Sequence, residues 1–172
     1  MAAEGEYPKV DGDIRYASEV NLNHYRVLEI YTGTDLDFTG TSGAANHELA
    51  ATTFGTTKPT YIKININAFI EAIAQAGGGN NSKATMTILI ESKDIGGSYS
   101  TVDTFVIGGE YTDTSSDKVG FQENYLSTLH TLTANEKANG FQVKITATGT
   151  SDGSGSTTTA FTNKQIIVEQ LS

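Results

Sequence analysis

The chain has 172 residues, a formal net charge of −9, 18 glycines, 2 prolines and neither cysteine nor tryptophan. That length holds one ordinary domain with a real core, and the missing cysteines exclude a disulfide scaffold and any thiolate metal site. An acidic balance with scattered Lys and Arg argues against nucleic acid as partner, and no run approaches the roughly 18 apolar residues of a membrane span.

The start, Met1-Ala2-Ala3-Glu4-Gly5-Glu6, is acidic with no apolar stretch behind it, unlike a secretory leader. Residues 1–16 read as an extended arm, because Tyr7-Pro8-Lys9-Val10-Asp11-Gly12-Asp13 is short of core residues and rich in turn formers. Ser18 can then cap a helix, with Glu19 suited to its first turn. Val20, His24, Val27, Leu28 and Tyr31 recur at helical spacing and Gly33 can stop it, so a helix of about three turns is predicted over residues 19–30. Its stripe, Val20, His24, Val27 and Tyr31, can pack on the chain's own domain or form a seam between subunits.

From Thr32 to Thr60 glycine, Thr and Ser dominate. Leu36 and Phe38 alternate with Asp35 and Asp37 as a short strand, and a second short element is predicted over residues 48–54. The clearest stretch follows. Ile62, Ile64, Ile66, Ala68, Ile70, Ala72, Ala74 and Ala76 share one parity, and the residues between them are mostly polar. Successive strand side chains face opposite ways, so this is a long strand with one dry face. A helical stripe through Phe69, Ile70, Ile73 and Ala76 is the rival for residues 69–76. After the turn formers of Gly77-Gly78-Gly79-Asn80-Asn81 the alternation resumes at Ala84, Met86, Ile88 and Ile90. A hairpin placing Ala72 by Ile88 and Ile70 by Ile90 is expected, its two apolar rows on one side of one sheet.

Further strands are predicted over residues 99–107, closed by Gly108-Gly109, and over 121–131. Thr133-Ala134-Asn135-Glu136 matches a capping box and Gly140 lies at stop distance, which gives a single helical turn. Phe141, Val143, Ile145 and Ala147 alternate with polar residues, and a last strand covers residues 161–171. Many short strands punctuated by turns predict a mainly β fold: an antiparallel β-sandwich or jelly roll preceded by an extended N-terminal arm and a short helix. The division is residues 1–31 for arm and helix and 32–172 for the sandwich.

Chemical motifs are sparse. His24, His47 and His130 stand too far apart for metal-ligand spacing, so neither metal nor cofactor is expected. Asp11/Asp13, Asp35/Asp37 and Asp113/Asp117 lack the calcium-loop pattern and suit Asx turns. Gly153-Ser154-Gly155-Ser156 reads as linker and Gly77-Gly78-Gly79 lacks the Lys-Ser/Thr of a phosphate loop, so no catalytic residue is assigned. Tyr99, Tyr111 and Tyr125 fall near predicted loops or strand ends. They form a candidate ligand loop, with a host-surface glycan stacked on the rings, or else fill the core edge.

Pro8-Lys9-Val10-Asp11-Gly12-Asp13-Ile14-Arg15-Tyr16-Ala17-Ser18-Glu19-Val20-Asn21 resembles a phrase near the start of tailed-virus virion proteins, in which a Gly-Asp turn and Ala-Ser-acidic lead into a helix. Leu132 to Phe141 resembles a strand–turn–strand phrase in the Thr/Gly-rich sandwiches of such virions: decoration proteins, tail-tip components and fibre heads. The resemblance implies a non-enzymatic structural or attachment role in the virion, commonly as a trimer, with other virion proteins as partners. Tyr7, Val10, Ile14, Val20, His24, Val27 and Tyr31 are the expected assembly surface.

Overall fold

The computed structural model describes residues 25–56, 58–75, 82–111, 118–153 and 157–171. Among the described residues nine strands form two antiparallel sheets. The first sheet contains β1 (Tyr25–Tyr31), β9 (Thr158–Leu171), β4 (Tyr61–Gln75) and β7 (Lys118–Thr131), in that order, with β2 (Phe38–Gly40) also paired to β9. The second runs β3 (Gly43–Glu48), β8 (Phe141–Gly153), β5 (Ser82–Asp94) and β6 (Ser100–Tyr111). The expected jelly-roll sandwich is therefore present.

The parity of the long strand holds. Ile62, Ile64, Ile66, Ile70, Ala72 and Ala74 are all fully buried, and residues 69–75 are strand, not helix. The pairing differs. β4 bonds to β7 and β9, whereas β5 bonds to β6 and β8. The rows expected side by side in one sheet instead face each other across the core, where Met86, Ile88 and Ile90 are fully buried. Period-two alternation reports a dry face; it is satisfied equally by a neighbouring strand and by an opposite sheet.

Residues 25–30 correct the helix expectation: they are strand β1, paired with β9. An extra residue at Leu28, between the pairs Val27↔Glu169 and Glu29↔Val168, turns the strand about its axis. Val27 and Ile30 point outward while Tyr31 points into the core, so Val27 and Tyr31 form no common seam. A similar device sits in β9. Asn163 adopts φ +51°, and the buried row switches from Thr157, Thr159 and Phe161 to Lys164, Ile166, Val168 and Gln170. Tyr7, Val10, Ile14, Val20 and His24 lie outside the described residues.

Helix α1 (Ala134–Asn139) forms as its capping box predicts. The Thr133 hydroxyl accepts from the Glu136 N–H at 3.1 Å, and the Glu136 carboxylate accepts from the Thr133 N–H at 2.8 Å. Gly140 ends the helix at φ +89°, its N–H donating to the Glu136 carbonyl. Gly108-Gly109, expected to close β6, instead lie inside it opposite Thr85 and Ala84.

Candidate functional site

The register of the first sheet places one set of side chains on its outer face. Because Ile62, Ile64 and Ile66 point inward, Tyr61, Lys63, Asn65 and Asn67 point outward. Lys63 lies between Leu129 and Glu169; Asn65 lies between Ser127 and Ile167; Asn67 lies between Tyr125 and Gln165. Val27 and Ile30 extend the same face onto β1. Among the described residues seven large apolar side chains are exposed, and five of them, Val27, Ile30, Tyr61, Tyr125 and Leu129, stand here. Scattered single apolar residues are ordinary on a surface, whereas a gathered set marks a contact face.

Asn65 sits in the middle of this outward face yet is only 8% exposed. Its Nδ2 donates to Glu169 Oε2 at 2.7 Å, while its Oδ1 accepts from the Tyr125 hydroxyl at 2.9 Å and the Ser127 hydroxyl at 3.0 Å. Three strands are thus tied by one amide, and its polar atoms are satisfied within the chain.

The second sheet's outer face has a different character. Thr87, Thr104, Thr146 and Thr148 populate it around Leu89 and the exposed Val106. At one end Tyr99 carries the ammonium groups of Lys93 and Lys144 at 4.3 and 4.4 Å from its ring centroid. Lys144 pairs with Glu91 at 2.6 Å. Burial first, then the charges of Glu48 and Glu91, push the Tyr99 phenol up to about 12, and its hydroxyl faces Glu48 without closing a well-formed hydrogen bond. The expected tyrosine platform is not gathered in one place. Tyr99 stacks under lysines on the second sheet, Tyr111 packs against the Ala72, Ala74 and Ala84 cluster at the opposite end, and Tyr125 stands on the first sheet.

Two polar clusters escaped the sequence reading. In the first, Tyr31 donates to Asp35 Oδ1 at 2.8 Å, His47 Nδ1 lies 2.7 Å from Asp35 Oδ2, and the Tyr31 and His47 rings stack at 3.9 Å. Burial, reinforced by Asp35, lifts the Tyr31 phenol to about 12, and the Tyr31 hydrogen bond leads the effects that hold the Asp35 carboxyl low. A phenol so firmly protonated is no nucleophile; the cluster clamps β1 of one sheet to β3 of the other. Beside it the ammonium of Lys164, a buried residue, donates to Asp37. The signal was the Asp35/Asp37 alternation, but its partners lie at sequence separations of 12 and 127.

In the second cluster Glu136, 3% exposed, accepts from the Ser92 hydroxyl and the Thr133 N–H and lies 3.0 Å from His130 Nε2. Burial alone would raise this carboxyl. The Ser92 and Thr133 donors and His130 outweigh it and hold the pKa below the ordinary range. A small cleft lined by Glu29, Leu49, Ala50, Thr52, Phe141, Val143 and Val168 spans about 160 Å³ including its open mouth. That is below the roughly 300 Å³ at which ligand pockets begin. Among the described residues no three His, Asp or Glu side chains converge as metal ligands, and no helix is long and apolar enough to cross a membrane.

No family model matches the sequence, and no curated protein sequence does. Solved structures with a similar arrangement include the Eiger TNF of S. frugiperda, at 8% identity and TM-score 0.43 over 87% of this chain and 94% of that one. A chain of the infectious bursal disease virus Gx strain is similar at 12% identity and TM-score 0.41, over 86% of this chain but 33% of the viral one. TmCBM61, solved with β-1,4-galactotriose, is similar at 8% identity and TM-score 0.30, over 83% of this chain and 86% of its own. These likenesses concern architecture and transfer no activity, ligand or assembly to this chain.

Proposed function

We propose that the chain is a non-enzymatic structural protein of a virion, a decoration, tail or fibre component of tailed-virus type, held to its particle through its N-terminal segment. The observation that carries this reading is the division of the sandwich. One sheet offers a threonine-rich, ionic surface, and the other bears five of the seven exposed large apolar side chains of the described residues, with β1, which follows residues 1–24, at its edge. The phrase from Pro8 to Asn21, which resembles the opening of virion proteins, lies in that joining segment. Tyr7, Val10, Ile14, Val20 and His24 supply its contact residues, with Val27 continuing them onto the sheet and Tyr31 anchoring β1 in the core. A segment that binds in this way gains its affinity from contacts with the particle and with sister copies, as in a trimer.

Antibodies against the purified chain should label intact particles of the virus that encodes it, and a chain lacking residues 1–24 should not be incorporated. A chain found in infected cells but never in purified particles would overturn the reading. One observation favours a second reading, a receptor- or glycan-binding module: the half-exposed Tyr125 ring stands beside Asn65 and Asn67. Sugar binding that survives deletion of the residues before Ser18 selects that alternative.

A further inference from the structure

We infer that the outer face of the five-stranded sheet is the surface on which a second copy of this chain seats, with the Asn65 network beneath the centre of the contact. This names the partner within the assembly reading above and rests on it, but its evidence is separate.

The first argument is preparation for burial. An outward amide on a solvated sheet is ordinarily left to water. Here Glu169, Tyr125 and Ser127 fill three of the four hydrogen-bond positions of the Asn65 carboxamide. A body laid over it leaves those three bonds intact, so most of the usual penalty for covering a polar group is absent there. Around it stand Val27, Ile30, Tyr61, Tyr125 and Leu129, each between 39% and 55% exposed, with Lys63, Asn67, Gln165 and Glu169 set among them.

The second argument is charge. The chain carries −9 overall, so two copies repel across most of their surfaces. This face carries no such excess. Lys63 and Lys118 project from it with Glu71 and Glu169, two charges of each sign, and Lys63 sits directly opposite Glu169 on the neighbouring strand. A balanced face can meet an identical face without like-charge conflict, which an acidic partner surface or a basic one would not exploit.

The third is extent. Strands spaced about 4.8 Å apart and rising about 3.4 Å per residue make the face of β1, β9, β4 and β7 roughly 800 Å². A stable interface takes about that area from each partner.

The test is the mass of the full chain in solution by light scattering. A multiple of the 18.3 kDa single-chain mass is expected. Ile30→Asp combined with Leu129→Asp should return it to a single-chain mass with an unchanged circular dichroism spectrum, while Val106→Asp on the other sheet should leave the multiple intact. If the double variant does not fold, Lys63→Glu replaces it: it unbalances the face without touching the core and should weaken association at least tenfold. A native chain that stays monomeric at tens of micromolar overturns the inference, as does a folded double variant that keeps its multiple. So does a monomer whose glycan binding is lost in the double variant, which makes the face a sugar site. Failure of the antibodies to label particles would remove the virion reading and leave the mass result standing.

Discussion

Gly108→Ala tests the packing of the sandwich where β6 lies against Ala72 of the opposite sheet. Gly108 lies inside β6 at φ +121°, a backbone conformation that L side chains rarely adopt. A Cβ placed there would fall 2.1 Å from the Ala84 carbonyl oxygen, 2.9 Å from Thr85 Cα and 3.0 Å from Ala72 Cβ. The first two obstacles are backbone of the paired strand β5, so no rotamer change relieves them. The third belongs to the opposite sheet, which shows that the core narrows at the level of Ala72, Ala74 and Ala84. The strained dihedral costs about 1–3 kcal/mol and the overlap a similar amount, giving about 2–6 kcal/mol in all. At about 2–4 °C per kcal/mol for a chain of this size, the thermal midpoint should fall by about 4–24 °C. Gly120→Ala is the control, since its Cβ would meet only Ile73 Cγ1 at 4.0 Å and its φ is ordinary; its effect should stay within about 0.5 kcal/mol. Calorimetry of the three proteins decides it. A Gly108→Ala midpoint within 2 °C of the parent, by the same scale, would refute the claim that this glycine is required by space and dihedral together.

Other outcomes follow from the polar clusters. Because folding lowers the Glu136 pKa, its contribution is complete above the ordinary value near 4.5 and vanishes as pH falls through the lower folded value. Urea titrations should therefore show stability dropping below about pH 4.5 in the parent and a smaller drop in Glu136→Gln, which itself costs about 1–2 kcal/mol by weakening the cap. Equal acid sensitivity of the two proteins would contradict this. Asp35→Asn should bring the Tyr31 phenol down from about 12 without reaching 10, since burial is the larger cause; alkaline difference spectra against a Tyr31→Phe reference would show it. Asp37→Ala strands the Lys164 ammonium and, with Asp37 itself partly exposed, should cost about 1–3 kcal/mol. Lys164→Met should cost less, and the reverse order would show that the pair is not what tolerates the buried lysine.

Alternation and capping were legible in the residues because both are local. Ile62 to Ala74 and Met86 to Ile90 declare a dry face every second position, and Thr133 with Glu136 declares a helix start within four residues. What was not legible is relational. Nothing in the Ala84–Ile90 row says whether its partner is a neighbour in the sheet or a layer across the core. The helical spacing of Val20 to Tyr31 misled for residues 25–30 because the bulge at Leu28 breaks the period of two that a strand would otherwise show. Asn163 hides the end of β9 in the same way. The candidate face was hardest to see, since Val27, Tyr61, Tyr125 and Leu129 come from three distant strands and acquire a common side only through register.

The pairing of Leu171 with both Tyr25 and Tyr61 puts the two ends of the described residues next to each other. The strand ends flanking residues 76–81, 112–117 and 154–156 all lie at the far pole, where Gln75 meets Lys118 and Ser82 meets both Tyr111 and Gly153. Foreign peptides spliced into those three connections should emerge together, a strand's length from any tether fused before Tyr25 or after Leu171, so the sandwich could carry a cargo tag and a displayed epitope at opposite tips.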